Sequence, residues 1–228
     1  MSFIPNAEGE ARQAMVSAGR PELAEKFMTV IRFLAANPKA ASNLRRKTLT
    51  IGSFDYIQAA AAAFAAGRVP RKPEPPSTVP DEMVSYILQE YFGIPAADLE
   101  KIKRGHLISM RAENMVGDLL ERYLADSLEK EGWVWISGSL VKGADFLKPP
   151  PPSKRKWQVL QVKNRDNSEN SSSSAIREGT SIQKWFRTFS KQPGSNWGEF
   201  PDAVLKADFS EDGFKEFVRK YLLALKKG

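Results

Sequence analysis

The sequence predicts a mixed α/β protein, in which a mixed sheet is flanked by helices and preceded by a helical N-terminal region. Three features of the 228 residues support this. Apolar residues recur at helical spacing in the first part of the chain, and after Gly132 their period changes from 3.6 to 2, which is typical of strands. A proline-rich connector from Arg68 to Pro80 separates two helical stretches. The predicted order is therefore a helical region, a long helix, strands and further helices.

The helical elements have recognisable start and stop signals. The stretch "PELAEKFMTVIRFLAAN" begins with Pro21, and "SFDYIQAAAAAFAAGR" follows a serine cap, Ser53. After the connector, Asp81 caps a helix that Gly93 ends. The longest helical pattern runs from about Leu107 to Lys130.

Three strands are predicted after the long helix, in "WVWIS", "LVKGADFL" and "KWQVLQVK". The segment "KPPPPSKRK" is predicted to join the last two as an exposed hairpin-type connection. Helices are predicted again at "SIQKWFRTFS" and "GFKEFVRKYLLALKKG". We expect a helical N-terminal region at residues 1–76 and an α/β core at residues 77–228. Four tryptophans are expected in the core rather than as stacking platforms: Trp133, Trp135, Trp157 and Trp185.

The residue types that the chain lacks narrow the possible chemistry. It has no cysteine and a single histidine, His106, which excludes disulfides, thiol nucleophiles and most zinc sites. No serine elbow lies near His106, so nothing supports a Ser-His-Asp triad. A metal would be held by carboxylates, which favours magnesium. The absence of cysteine, of a long apolar run and of a secretion signal predicts a cytoplasmic protein with no membrane segment.

Positive charge is concentrated in one part of the chain. Residues 142–191 contain eleven Lys or Arg against four Asp or Glu, whereas the whole chain has a net charge of +7. The excess is therefore local. Such a patch is expected where a protein meets a polyanion such as nucleic acid.

An acid, an amide and a lysine are expected to meet at one end of the sheet. Alternation along the third strand puts Gln161 and Lys163 on one face, and Asp145 lies on the preceding strand. The long helix before them carries Glu113. Phosphodiester hydrolysis needs residues of these types, because a carboxylate-held metal offsets charge on the phosphate and a lysine positions it.

Each of these residues also has a purely structural explanation. Asp145 could be an exposed acid near a turn, Lys163 a solvated cation at a strand end, and Glu113 a surface charge on a helix. The polar stretch that follows Lys163 could be a solvated loop. The combination with the local basic charge favours a functional site over these alternatives.

The acid, the "QVK" of the third strand and their spacing resemble the PD-(D/E)xK nuclease pattern. The chain as a whole resembles the SinI-type restriction endonucleases, in segments that include "NAEGEARQAMVSAGRPELAEKF", "KPEPPSTVPDEMVSYILQEYFGIPA", "AENMVGDLLERYLA" and "LQVKNRDNSENSSSSAIRE". This resemblance implies a restriction-endonuclease-like core. It also implies a type II enzyme that cuts both strands of duplex DNA at a short palindrome of the GGWCC kind, with Mg²⁺.

The resemblance also implies roles for individual residues. Asp145 and Lys163 would be catalytic, with Gln161 at a position that is usually acidic. A neutral amide supplies less charge to a metal, so a second carboxylate would come from Glu113 or Glu178.

The polar stretch after Lys163 is expected to read and hold DNA. Arginine suits guanine, aspartate suits cytosine and asparagine suits adenine, whereas serines can bind phosphate. The expected DNA-binding residues are Asn164, Arg165, Asp166, Asn167, Ser171, Ser172 and Arg177. A palindrome implies a homodimer. The alternatives are a protein that binds nucleic acid without cutting it, and a repair nuclease on the same fold.

Overall fold

The computed structural model of the chain describes residues 2–44, 49–74, 78–153, 156–166 and 182–227. The chain forms two compact units: Met1–Pro70 together with Leu120–Gly228, and Arg71–Leu119. Within the described ranges, no helix is long and apolar enough to span a bilayer.

Six α-helices are described in these residues. Two of them begin at side-chain caps: the Ser53 hydroxyl accepts a hydrogen bond from the Tyr56 N–H at 3.2 Å, and the Asp81 carboxylate accepts one from the Met83 N–H at 2.8 Å. The helices are α1 (Ala7–Ser17), α2 (Ala24–Ala36), α3 (Phe54–Arg68), α4 (Glu82–Glu90), α5 (Ala96–Leu128) and α6 (Glu211–Lys227).

Four strands in the described residues form one mixed sheet in the order β1-β2-β3-β4. The strands are β1 (Val134–Trp135), β2 (Phe146–Lys148), β3 (Gln158–Arg165) and β4 (Ile182–Thr188). The first three are antiparallel neighbours, whereas β4 runs parallel to β3. The mixed α/β class is therefore confirmed.

Both faces of the sheet are packed against helices of the larger unit. On one face, Leu147 and Val159 belong to the same apolar core as α1, α2 and α3, and the Phe33 ring meets Trp157 at 5.3 Å between centroids. On the other face, Trp185 stacks near Trp197 at 5.1 Å. Tyr123 of α5 and Phe214 of α6 complete that aromatic cluster. The sheet is thus covered on both sides, and only part of it is open to a ligand.

The structure corrects one predicted element. The segment predicted as a helix at "SIQKWFRTFS" contains strand β4, which pairs with β3 from Val159↔Ile182 to Arg165↔Thr188. The apolar spacing in this segment also fits one face of a helix, at Ile182, Trp185 and Phe189. The segment forms a strand because its backbone hydrogen-bonds to the free edge of β3.

Other predicted elements are found with shifted boundaries. The long helix begins at Ala96 rather than near Leu107, and of "LVKGADFL" only Phe146 and Leu147 lie in a strand, β2. Three of the four tryptophans are buried as predicted, and Trp157 is partly buried against the core. The compact units do not follow the predicted parts 1–76 and 77–228, because helices α1 to α3 share a core with the sheet. A functional division along those lines stays a prediction.

Candidate active site

The loop that leads into Asp145 is anchored to α3. Gly138 has a positive φ of 81°, and a Cβ built on it would lie 2.4 Å from the Ala63 carbonyl oxygen. The neighbouring Ser137 hydroxyl donates to the Phe64 carbonyl at 2.7 Å. Only glycine permits this close approach with that backbone conformation. The loop is thereby fixed before the chain reaches Asp145.

Asp145 is tied to β3 through its backbone and its side chain. Its N–H donates to the Leu160 carbonyl at 2.9 Å, and its Oδ2 accepts from the Val162 N–H at 2.7 Å. Burial raises the pKa of Asp145 to about 6, although the Val162 N–H and the positive charge of Lys163 act in the opposite direction. The predicted meeting of Asp145 with the third strand is therefore observed.

Gln161 lies beside this carboxylate on the strand and is nearly buried, with 9% of its surface exposed. Its Oε1 atom has no hydrogen-bond partner within the described parts of the chain. A buried amide oxygen without a partner is energetically unfavourable, so such an atom marks a place where a ligand can bind. A hard cation is one ligand that an amide oxygen accepts.

Strand β4 brings a second lysine to the face that carries Gln161 and Lys163. Gln161 pairs with Lys184, and Lys163 pairs with Phe186, and paired residues of neighbouring strands project to the same face. Lys184 is exposed and has no ion pair to any residue that the structure describes. The sequence pattern does not place Lys184 near this site, because it predicts a helix for the segment that contains it. The aromatic and β-branched residues around it were the signal for a strand.

The residues that follow Lys163 differ in what they can offer a ligand. Asn164 Oδ1 already accepts from Arg187 Nε at 3.0 Å and Nη2 at 2.8 Å, and Asp166 Oδ1 accepts from the Ser190 N–H at 2.7 Å. Hydrogen bonds from Ser190 lower the pKa of Asp166 below its usual value. Arg165 is exposed between them at the end of β3. It is the member of this stretch whose donors are best placed for a partner.

The donor set fits a hard cation in part. Asp145 supplies a carboxylate and Gln161 an unsatisfied amide oxygen, both of which suit Mg²⁺. Across the described residues, no group of three or more His, Cys, Asp or Glu could hold a metal. Glu113 is exposed on α5 within the unit Arg71–Leu119. The other candidate ligand, Glu178, lies outside the described residues, as do the proposed DNA contacts Asn167, Ser171, Ser172 and Arg177.

A separate pocket of about 520 Å³ is lined by residues that include members of α3, α5 and α6. Several of its charged side chains bond to one another or to the backbone. Glu129 accepts from Lys26 at 2.5 Å and from Arg68 at 2.7 Å, while Arg122 donates to the Gly67 carbonyl at 2.8 Å. Burial acts to raise the pKa of Glu129, but these cations hold it below its usual value. Because Glu129 is paired with two cations and Arg122 is bonded to backbone carbonyls, we assign this pocket a structural role.

Comparison with known proteins gives close matches along the whole chain. The family model described as SinI restriction endonuclease matches residues 7–224. The type II restriction enzyme Eco47I of Escherichia coli is 49% identical over 226 residues, which cover 98% of this chain and 97% of that protein. The type II restriction enzyme SinI of Salmonella infantis is 50% identical over the same length and coverage.

The raised pKa of Asp145 predicts that replacing this acid stabilises the metal-free protein. In the unfolded chain the carboxyl group loses its proton near pH 3.8, but in the fold it does so only near pH 6. The folded state is therefore disfavoured at higher pH, by at most about 3 kcal/mol. Asp145→Asn should raise the melting temperature at pH 8 in the presence of a chelator, and the gain should shrink at pH 5.

Asp166→Asn is the matched control for this measurement. Its carboxylate has a lowered pKa, so the charged form is favoured by the fold and its removal should give no gain at pH 8. An unchanged or lower melting temperature for Asp145→Asn at pH 8 would contradict the conclusion that burial of the charged Asp145 carboxylate destabilises the fold.

Proposed function

The chain belongs to the SinI restriction endonuclease family, and from this premise we propose that it hydrolyses both strands of duplex DNA at a short palindrome. The proposed site is of the GGWCC kind, and the proposed cofactor is Mg²⁺. The observation that carries the proposal is the meeting of Asp145 with β3, beside the unpartnered oxygen of Gln161 and next to Lys163.

Asp145 and Gln161 are the residues we propose to hold the cation. When bound, Mg²⁺ supplies positive charge that offsets the charge developing on the phosphate. Because an amide adds no negative charge, we propose that Glu113 or Glu178 completes the set. Titration of cleavage against Mg²⁺ distinguishes the two, since loss of the contributing glutamate raises the Mg²⁺ requirement.

Lysine side chains hold the phosphates in this proposal. Lys163 lies next to the cation-binding residues and contacts the phosphate that is cut. Lys184 of β4, which pairs with Gln161, contacts an adjacent phosphate of the same DNA strand. Fixing the phosphodiester between these two ammonium groups limits its motion relative to the attacking water, and such positioning is a large part of catalysis.

Arg165 is the residue we propose to read sequence. It lies two residues after Lys163 on β3, so both side chains project to the same face. Asn164 and Asp166 remain proposed contacts, although their acceptor oxygens already have partners within the chain. Because a palindrome has two-fold symmetry, we also propose that the enzyme acts as a homodimer with one active site for each strand.

The first test is a digest of a plasmid of known sequence. Wild-type protein with Mg²⁺ should give discrete fragments whose ends map to GGWCC sites, and a chelator should stop the reaction. Lys163→Ala should cut at least about 100-fold more slowly, because a charge aimed at the reacting phosphate is lost. Its binding to the same DNA in Ca²⁺ should change only a few-fold.

Lys206→Ala removes an exposed lysine from elsewhere on the surface and serves as the control for this digest. Fragments without fixed ends would favour a repair nuclease, and binding without cutting would favour a non-catalytic DNA-binding protein. Wild-type turnover of Lys163→Ala would remove this lysine from the mechanism.

Lys184→Ala tests the second lysine. Losing one phosphate contact should weaken DNA binding about equally on cognate and random sequences and reduce the slope of log K against log salt by about 1. The measurement is binding in Ca²⁺ over a salt series, again with Lys206→Ala as control. A slope that equals that of the wild type would show that Lys184 does not touch DNA.

Arg165→Ala tests the proposed reader. If its guanidinium makes a paired hydrogen bond to guanine, the loss should be about 1 to 3 kcal/mol on cognate DNA and much smaller on random DNA. The same salt series measures both values. An equal loss on the two sequences would make Arg165 a contact to the DNA backbone instead.

A further inference from the structure

The unit Arg71–Leu119 exposes much of its apolar surface. Among the described residues, fifteen large apolar side chains are exposed, and ten of them lie between Val79 and Met110. On α4 and the two residues after it, the exposed fractions are 51% for Ile87, 83% for Tyr91 and 63% for Phe92. Soluble proteins rarely leave a patch of this size uncovered, so a protein partner is expected here.

Helix α4 gains little stability from burial within the described residues. It has nine residues, and none of them is buried. A helix of this length is marginal on its own in water, because its few hydrogen bonds do not offset the loss of chain entropy. A groove of about 460 Å³, lined by residues such as Val84 and Leu88 of α4 and Leu107 and Met110 of α5, offers room for an apolar ridge.

We propose that this surface, residues 79–92 together with residues 96–110 of α5, is the interface with a second copy of the chain. The proposal rests on the proposed function, since cutting a palindrome requires two related active sites. At the exposed fractions observed, the ten side chains offer on the order of 800 Å² per copy, which equals the share of one partner in an interface of standard size.

The charges of this surface suit a copy of itself and not DNA. Residues 71–119 contain six Lys or Arg and eight Asp or Glu, a net charge of −2 in a chain of +7. Residues 81–90 carry three acids and no base, whereas residues 101–111 carry four bases and no acid. In a two-fold interface, α4 of one copy can therefore meet the basic segment of α5 of the other.

The absence of cysteine allows a direct test by cross-linking. Tyr91→Cys and Ile108→Cys each introduce one thiol on this surface, and Val204→Cys, exposed by 76%, is the control outside it. When the first two variants are mixed, a short bis-maleimide should join them into a species of twice 25.4 kDa, whereas either of them mixed with the control should stay unlinked. Equal linkage in all mixtures, or linkage in none, would overturn the interface.

A charge placed on the surface should separate the copies. Ile87→Glu should raise the dimer dissociation constant at least 100-fold by light scattering, whereas Val204→Glu should leave it unchanged. A dimer that survives in Ile87→Glu, or a wild-type chain that is monomeric both free and on DNA, would overturn the proposal. If Ile87→Glu does not fold, the cross-linking result decides. Neither measurement requires cleavage, so a wild type that cuts no DNA would refute the proposed function alone.

Discussion

The hydrogen bond from the Val162 N–H to the Asp145 carboxylate is the contact on which the candidate site depends. The N–H nitrogen and the carboxylate oxygen are 2.7 Å apart, and this bond attaches Asp145, at the end of a loop, to the middle of β3. Burial at this position raises the pKa of Asp145 to about 6. The same strand then presents Gln161 and Lys163, because side chains alternate along it. The loop before Asp145 is held in turn by the contact of Gly138 with α3. The site is therefore built by packing against the N-terminal helices.

Gln161 makes this site less negative than an acid at the same position would. An acid at that position would add a second negative charge next to a carboxylate that is already disfavoured by burial, and would raise both pKa values further. The amide avoids this repulsion and keeps an oxygen free for a cation, at the expense of weaker attraction. Two lysines on the same face, Lys163 and Lys184, add positive charge instead. In the proposed function, this arrangement would favour a phosphate and would attract the cation with less negative charge than an acid at position 161.

Much of this could be predicted from local sequence signals, and the failures have physical causes. Alternation in "WQVLQVK" and the caps Ser53 and Asp81 act over a few residues, so those elements were found where they were expected. Strand β4 could not be found in this way, because its apolar spacing also fits a helix and its pairing partner lies about twenty residues earlier in sequence. Lys184 was missed for that reason. The exposure of the apolar side chains of α4 could not be predicted either. An amphipathic pattern shows that a helix has an apolar face, but not what packs against that face.

The distribution of charge and apolar surface separates two kinds of contact along the chain. The segment around β3 and β4 is basic and polar, and β3 ends at the exposed Arg165, whereas residues 71–119 are slightly acidic and expose large apolar side chains. A single surface that combined both properties would bind DNA and a second copy in competition, because apolar burial and phosphate contacts require different surroundings. Under the two proposals, the contact with a second copy falls in residues 79–110 and the contact with DNA in β3 and β4, so the two contacts use different parts of the sequence. Helix α5 contributes residues to both compact units, because the boundary between them falls at Leu119 and Leu120.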